Sequence, residues 1–287
     1  MMLSNSDQPA GVLYVVATPI GNLDDLSGRA RHTLSRVSKI AAEDTRRTRR
    51  LLSHIGVDTS CFSLHDHNER QKLDYIVQLL KKGESIALVS DAGTPLISDP
   101  GYPLVTAVRS EGLNVVPIPG PSALIAALSV AGLPSDRFVF EGFLPSKSGA
   151  RIKHLQDLAS ETGTLIFYES SHRIFECLQD MATVFGGDRQ LVVARELTKT
   201  FETVLGGSVL ELIELLTKDS NQRKGEFVVM VRGAAKKIDE VSAKSIKLVN
   251  LLVKHMPGKE AARITAETFG DKKNRIYQYL LDSQESS

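Results

Sequence analysis

Short apolar, β-branched runs alternate with stretches of helical periodicity from about residue 12 to residue 231, a pattern best satisfied by an α/β fold with largely parallel sheets. The first series of candidate strands is Val12 to Ala17, Lys39 to Ala42, Cys61 to Leu64, Ser85 to Ser90 and Asn114 to Ile118. Between them, Leu73, Ile76, Val77 and Leu80 recur at helical spacing in Asn68 to Lys81. An uncharged helix from Ser122 to Ala131 precedes the turn Gly132-Leu133-Pro134, which is read as a domain boundary. A second series follows: strands Phe138 to Phe143, Thr164 to Tyr168, Leu191 to Arg195, Glu202 to Leu205 and Glu226 to Val231. Helices Ala150 to Ala159, His172 to Phe185 and Val209 to Lys218 fill its gaps.

The pattern changes after Val231. Gly233 to Asp239 reads as a basic linker, and beyond it three short helices are expected at Ser242 to His255, Lys259 to Phe269 and Lys272 to Leu281. A helix, a glycine turn and a helix with basic ends outline a helix-turn-helix. The chain therefore divides into residues 1–132, 133–233 and 240–287.

Composition removes whole classes of function. Thirty-five Lys/Arg against thirty-four Asp/Glu leave a net charge of +1, so any nucleic-acid partner must be sought in local charge. Cys61 and Cys177 are the two cysteines; far apart and without Cys/His ligand spacing, they fit a reducing compartment and give no zinc site. Leu113 to Ser135 is uncharged and long enough to span a membrane, but Pro117, Pro119 and Pro121 interrupt it. Met1 to Ala10 lacks a basic and an apolar region, so no secretory signal is expected there and the cytoplasm is the expected location.

Two loops stand out. Ser90 to Gly101 is a run of turn formers after a strongly apolar strand, and Pro119-Gly120-Pro121-Ser122-Ala123 follows the next strand and opens a helix. Loops at the carboxyl ends of strands in α/β sheets are where ligands sit, so two stiff ones after adjacent strands predict a pocket. The strand Val12 to Ala17 runs into a tight turn, Thr18 to Asn22, which is not a GxGxxG loop.

These residues carry a resemblance. VVATPIGNLDDLS (15–27), AEDTRRTRRLL (42–52), LVSDAGTPLISDPG (88–101), PIPGPSA (117–123), EGFLP (141–145), FYESSHR (167–173) and GEFVVMV (225–231) are similar to the ribosomal RNA small subunit methyltransferase I family. The resemblance implies a two-domain tetrapyrrole-methylase-like (class III methyltransferase) α/β fold, here followed by a small all-helical module. It also implies S-adenosylmethionine held in a cleft, and 2′-O-methylation of a cytidine in the decoding region of 16S ribosomal RNA. The implied partners are that RNA or the small ribosomal subunit, and a second copy of the chain in a homodimer.

Carried over motif by motif, the donor contacts Pro19, Gly21 and Leu23 in the first turn, Asp91, Gly93 and Thr94 in the second loop, Ser122 and Ala123 in the third, and Tyr168 and Val229 beside the adenine. The methyl group is already activated, so the enzyme must hold a hydroxyl in line and help it lose a proton. Asp44, Glu169, Glu196 and Lys199 are the candidates for that work. Between Arg29 and Arg50 eight Lys/Arg face two acids, the local charge that phosphate binding requires. Arg46, Arg49 and Arg50 share one helix face, and His65, Arg173, Lys272 and Lys273 join them as RNA contacts. His65-Asp66-His67-Asn68-Glu69 is read as a helix start capped by Asn68, so no metal is expected. A small-molecule, tetrapyrrole-type methylase is the competing enzyme, and a helix-turn-helix ligand sensor the competing non-enzyme.

Overall fold

The computed structural model describes residues 9–235 and 241–285. The start of the chain through residue 8 and most of the expected basic linker lie outside the described residues. The chain separates into two compact units, 1–234 and 235–287.

The first unit begins with β1 (Leu13–Val16), α1 (Gly28–Arg36), β2 (Lys39–Ala42), α2 (Thr45–His54), β3 (Cys61–Ser63), α3 (Glu69–Lys81), β4 (Ile86–Val89), α4 (Tyr102–Ser110) and β5 (Val115–Ile118). Its sheet has the order β3-β2-β4-β1-β5 and every pairing is parallel. A parallel sheet is buried on both faces by its crossover helices, which explains why β4 is wholly apolar and buried. Leu34, Ile40, Leu52 and Ile118 pack one face, and Leu13, Ile76, Leu80 and Leu104 the other.

After α5 (Ala123–Val130) come β6 (Phe138–Phe143), α6 (Ser148–Asp157), β7 (Thr164–Ser170), α7 (Ile174–Phe185), β8 (Gln190–Arg195), β9 (Thr203–Ser208), α8 (Val209–Lys218) and β10 (Glu226–Val231). The order of this second sheet is β6-β7-β10-β8-β9. It departs from the expected parallel pattern, because only β6 and β7 run parallel while β10 lies antiparallel between β7 and β8 and β8 pairs antiparallel with β9. The loop 196–202 is too short for a crossover, so β8 and β9 form a hairpin. β7 and β8, joined through α7, still share one direction because both oppose β10. Helices α6, α7 and α8 cover one face around Phe167, Leu178 and Leu212, whereas α5 covers the other with Leu124, Ala127 and Leu128 against Ile166 and Met230.

The second unit holds α9 (Ala243–Leu252), α10 (Gly258–Phe269) and α11 (Lys273–Glu285). Ser242 caps α9 by accepting from the Ser245 N–H, and Gly270, with φ 78°, ends α10 in the left-handed conformation that glycine adopts without steric cost. Val249, Ala261, Ala262, Ile276 and Leu280 form its core.

Candidate functional site

A cavity of about 330 Å³ opens where the carboxyl ends of the first sheet meet the face of the second sheet beside α5. The loop between β4 and α4 forms much of its wall. That loop is tied down at several points: Thr18 and Gly93 exchange backbone hydrogen bonds of 2.8 and 3.0 Å, and the Thr94 hydroxyl donates to Pro121 O at 3.0 Å. The first turn is fastened to the loop after β8, where the Asn22 N–H donates to Thr198 Oγ1 at 3.0 Å. Gly21 permits this approach, since a Cβ there would stand 2.5 Å from Lys199 Cγ and 2.8 Å from Thr198 Oγ1.

Backbone strain gathers at the same place. Among the described residues four non-glycine residues have positive φ: Leu96, Ser98, Glu196 and Thr198. All four lie on the two loops that border the cavity, as strained conformations at functional sites commonly do.

Asp91, Gly93, Thr94, Ser122, Ala123 and Tyr168 line the cavity. Pro19, Gly21 and Leu23 do not; their turn frames the rim, where Ile20 alone reaches inward, and Leu23 is exposed on a short 3₁₀ turn. Val229 points away. It is fully buried among α6, α7 and α8, and its neighbour Val228 faces the cavity instead, because consecutive strand residues face opposite sides of a sheet. Tyr168 stacks edge-on with Phe140 and Phe143 at 4.9 and 5.7 Å, and its hydroxyl accepts from the Leu124 N–H at 3.2 Å. Burial raises its phenol above the usual range, with the nearby Asp99 carboxylate adding to the shift.

Of the residues expected to handle the proton, Asp44 does not line the cavity. It caps α2 and grips Arg46 through two side-chain hydrogen bonds of 3.0 and 2.7 Å, which hold its carboxyl well below the usual carboxylate range. Glu169 is 2% exposed and pairs with Arg173 Nη2 at 3.1 Å. Arg173 also donates to Leu144 O, so it locks the end of β7 in place rather than facing solvent for RNA. Lys199 sits between Glu196 at 2.9 Å and Glu226 at 2.7 Å. Burial opposes its charge, but those two acceptors outweigh it and raise its ammonium above the ordinary value.

Two acidic groups were not among the expected proton handlers. Glu43 Oε2 accepts from the Asp91 N–H at 3.3 Å, and burial raises its carboxyl. Burial also pushes Asp99 up to about 6; the Ser90 hydroxyl opposes this, while the Glu43 and Asp91 carboxylates reinforce it. The signal was present in the sequence as a second acid at the end of the Ser90 to Gly101 run, but spacing alone does not say that it turns inward.

Arg47, omitted from the expected arginine face, lines the cavity and pairs with Asp91 Oδ2 at 3.4 Å. Arg49 and Arg50 are exposed on the same helix and make no ion pair among the described residues, whereas Arg46 is held by Asp44. Arg29 and Arg31 of α1 donate to the Pro117 and Ile55 carbonyls. His65 is half-buried, with the Asn68 amide 3.0 Å from its Nε2. Asn68 therefore turns back toward β3 and makes no side-chain cap for α3, contrary to expectation. Among the described residues no group of three or more His, Cys, Asp or Glu could hold a metal, and no helix is long and apolar enough to cross a membrane. Lys272 and Lys273 are exposed at the start of α11 in the second unit.

Comparison with known proteins agrees with this geometry. The tetrapyrrole (corrin/porphyrin) methylase family matches residues 12–213, and the RsmI C-terminal HTH domain matches residues 239–284. A curated ribosomal RNA small subunit methyltransferase I from Xylella fastidiosa is 56% identical over 267 residues, covering 93% of this chain and 98% of the relative. The protein of the same name from Escherichia coli O157:H7 is 51% identical over 280 residues, covering 98% of each. Among solved structures, the cobalamin biosynthetic enzyme cobalt precorrin-4 methyltransferase superposes with a TM-score of 0.58 at 14% identity, covering 81% of this chain and 98% of that one. Uroporphyrin-III C-methyltransferase from Thermus thermophilus, complexed with S-adenosylhomocysteine, gives 0.54 at 14% identity over 77% of this chain and 97% of its own. This chain belongs to the tetrapyrrole methylase family and, within it, to the ribosomal RNA small subunit methyltransferase I family.

Proposed function

We propose that this protein transfers a methyl group from S-adenosylmethionine to small-subunit ribosomal RNA, at the ribose 2′-oxygen of a cytidine in the decoding region. The observation that carries the reading is the position of Arg47: the helix that offers phosphate-binding charge also reaches into the cavity, through its pair with Asp91. A small-molecule methylase needs no such helix at its mouth.

The cavity suits the donor. Ile20, Ile97 and Leu197 give apolar surface for an adenosyl group, and its carboxylates complement a cation. Bound S-adenosylmethionine supplies a methyl carbon on a positively charged sulfur. Asp91 and the backbone of Gly93 and Thr94 orient the donor, and Ser122, Ala123 and Tyr168 close over its other side. The first turn, with Pro19, Gly21 and Leu23, keeps those loops in position from the rim. Arg49 and Arg50 hold the RNA backbone, as exposed unpaired guanidinium groups do with phosphate. Lys272 and Lys273 in the second unit belong to the same proposal, as does His65 near the base of α3. Asp44, Glu169, Glu196 and Lys199 act as positioning groups, each already engaged by a charged partner.

A homodimer in the cytoplasm completes the reading. Tyr102, Phe143 and Phe201 are 73%, 56% and 70% exposed, apolar surface that a second copy would cover. Light scattering is expected to give twice the chain mass. The function itself is tested by incubating the protein with labelled donor and small ribosomal subunits, then digesting the RNA to nucleosides. Label in 2′-O-methylcytidine is the expected result; label in a base or in no RNA overturns it.

A further inference from the structure

Five carboxylates line the cavity: Glu43, Asp91, Asp99, Glu169 and Glu226. Four are occupied. Glu43 accepts from the Asp91 N–H; Asp91 accepts from the Asp44 N–H at 3.0 Å and pairs with Arg47; Glu169 pairs with Arg173; Glu226 pairs with Lys199. A carboxylate tied to a cation is a poor proton acceptor, because taking the proton would discard the ion pair. Glu43 and Asp99 have no cation at ion-pair distance among the described residues; Glu43 is taken up by the Asp91 N–H, whereas the Asp99 carboxyl has the Ser90 hydroxyl beside it. Its backbone is deliberately set: the preceding Ser98 is held at φ 65° and Leu96 at φ 73°, conformations that non-glycine residues adopt at a cost. A Cβ on Gly142 would come 2.8 Å from the Ser98 hydroxyl, so glycine there makes room for this turn.

We propose that Asp99 is the group that accepts the proton from the hydroxyl nucleophile. This rests on the reading of the protein as a ribose 2′-O-methyltransferase. In the step, a lone pair of the hydroxyl oxygen forms the bond to the methyl carbon, and the pair of its O–H bond stays on that oxygen as the proton leaves. The pair of the broken C–S bond goes to sulfur, and the proton goes to an Asp99 carboxylate oxygen, which later gives it to water. Neutral sulfur and one released proton balance the positive charge of the donor.

The groups facing Asp99 set its proton affinity. Glu43, Asp91 and Asp66 stand on the side of the first sheet, and the Tyr168 phenol on the side of the second. Partial burial, reinforced by three carboxylates nearby, favours the protonated acid and raises the group to about 6, closer to the working range of a general base than an ordinary aspartate. Arg47 and Lys199 lie on the same cavity but are each bound to another carboxylate.

The test compares the parent protein with Asp99→Asn and Asp99→Glu. Carboxyl ¹³C NMR of the donor-free protein is expected to show one aspartate titrating near pH 6 that is missing from Asp99→Asn. Calorimetry is expected to give donor affinity within about threefold of parent, while methyl transfer at saturating donor falls about 10²–10⁴-fold and the acid limb of the pH–rate profile disappears. Asp99→Glu is expected to recover part of the rate with a shifted limb. Asp99→Asn turning over within threefold of parent overturns the proposal, as does a parallel loss of donor affinity and rate, which would make Asp99 a donor ligand. Failure of the parent to methylate any ribose would sink the functional reading instead, and leaves the NMR titration as a separate result.

Discussion

Asp99, half-buried, and Glu169, fully buried, show how differently two acids can be treated by one fold. The folded protein holds the Asp99 proton more tightly than an unfolded chain, whose aspartates titrate near pH 4. Ionising it therefore costs nothing below the unfolded value and its full amount above about 6, so stability is lost as pH rises through that window. Asp99→Asn should then raise stability at pH 8 by about 1 kcal/mol, a figure reduced for its contact with solvent, and leave it unchanged at about pH 3, below the unfolded value. Urea titrations at both pH values check this. Glu169 has the opposite arrangement, a carboxylate deep in the structure with its own guanidinium. Arg173→Ala should cost about 3–5 kcal/mol, read as a fall in the urea midpoint, because it strands that charge. At this scale the sequence was only partly legible. The family motif marked Asp91, Thr94 and Tyr168 in the cavity, but a one-residue shift separates Val229 in the core from Val228 at the site. Nothing in the spacing of the loop revealed that Asp99 turns inward with no cation beside it.

Elements were read well where local chemistry dictates them. Helix α8 begins at Ser208 in a reciprocal capping box with Glu211, and its expected and observed limits coincide. Ser208→Ala should cost about 1 kcal/mol, measured by thermal unfolding. Helix α4 escaped the sequence reading because it starts at Gly101 with Pro103 in its first turn, directly after a run of turn formers. The placement of β10 was also illegible. An apolar strand carries no mark of its neighbours' direction, and only the short return after β8 and the α7 crossover together fix the mixed sheet. Helix α2 carries the clearest functional consequence. Its outward Arg49 and Arg50 should each neutralise about one phosphate, so the double alanine variant should lower the slope of log affinity against log salt by about 1.5 for single-stranded RNA. Equilibrium binding across a salt series measures it.

Across the whole molecule the first unit contains every residue that lines the cavity, the last being Val228. A chain ending at residue 234 should therefore bind donor within about threefold of the full protein by calorimetry, while losing whatever RNA affinity Lys272 and Lys273 provide. The exchange of backbone hydrogen bonds between Thr18 and Gly93, with the Thr94 and Asn22 clasps beside it, has a kinetic meaning. Since no segment must freeze when a donor arrives, exchange of spent for fresh cofactor should run at the pace of diffusion through the mouth.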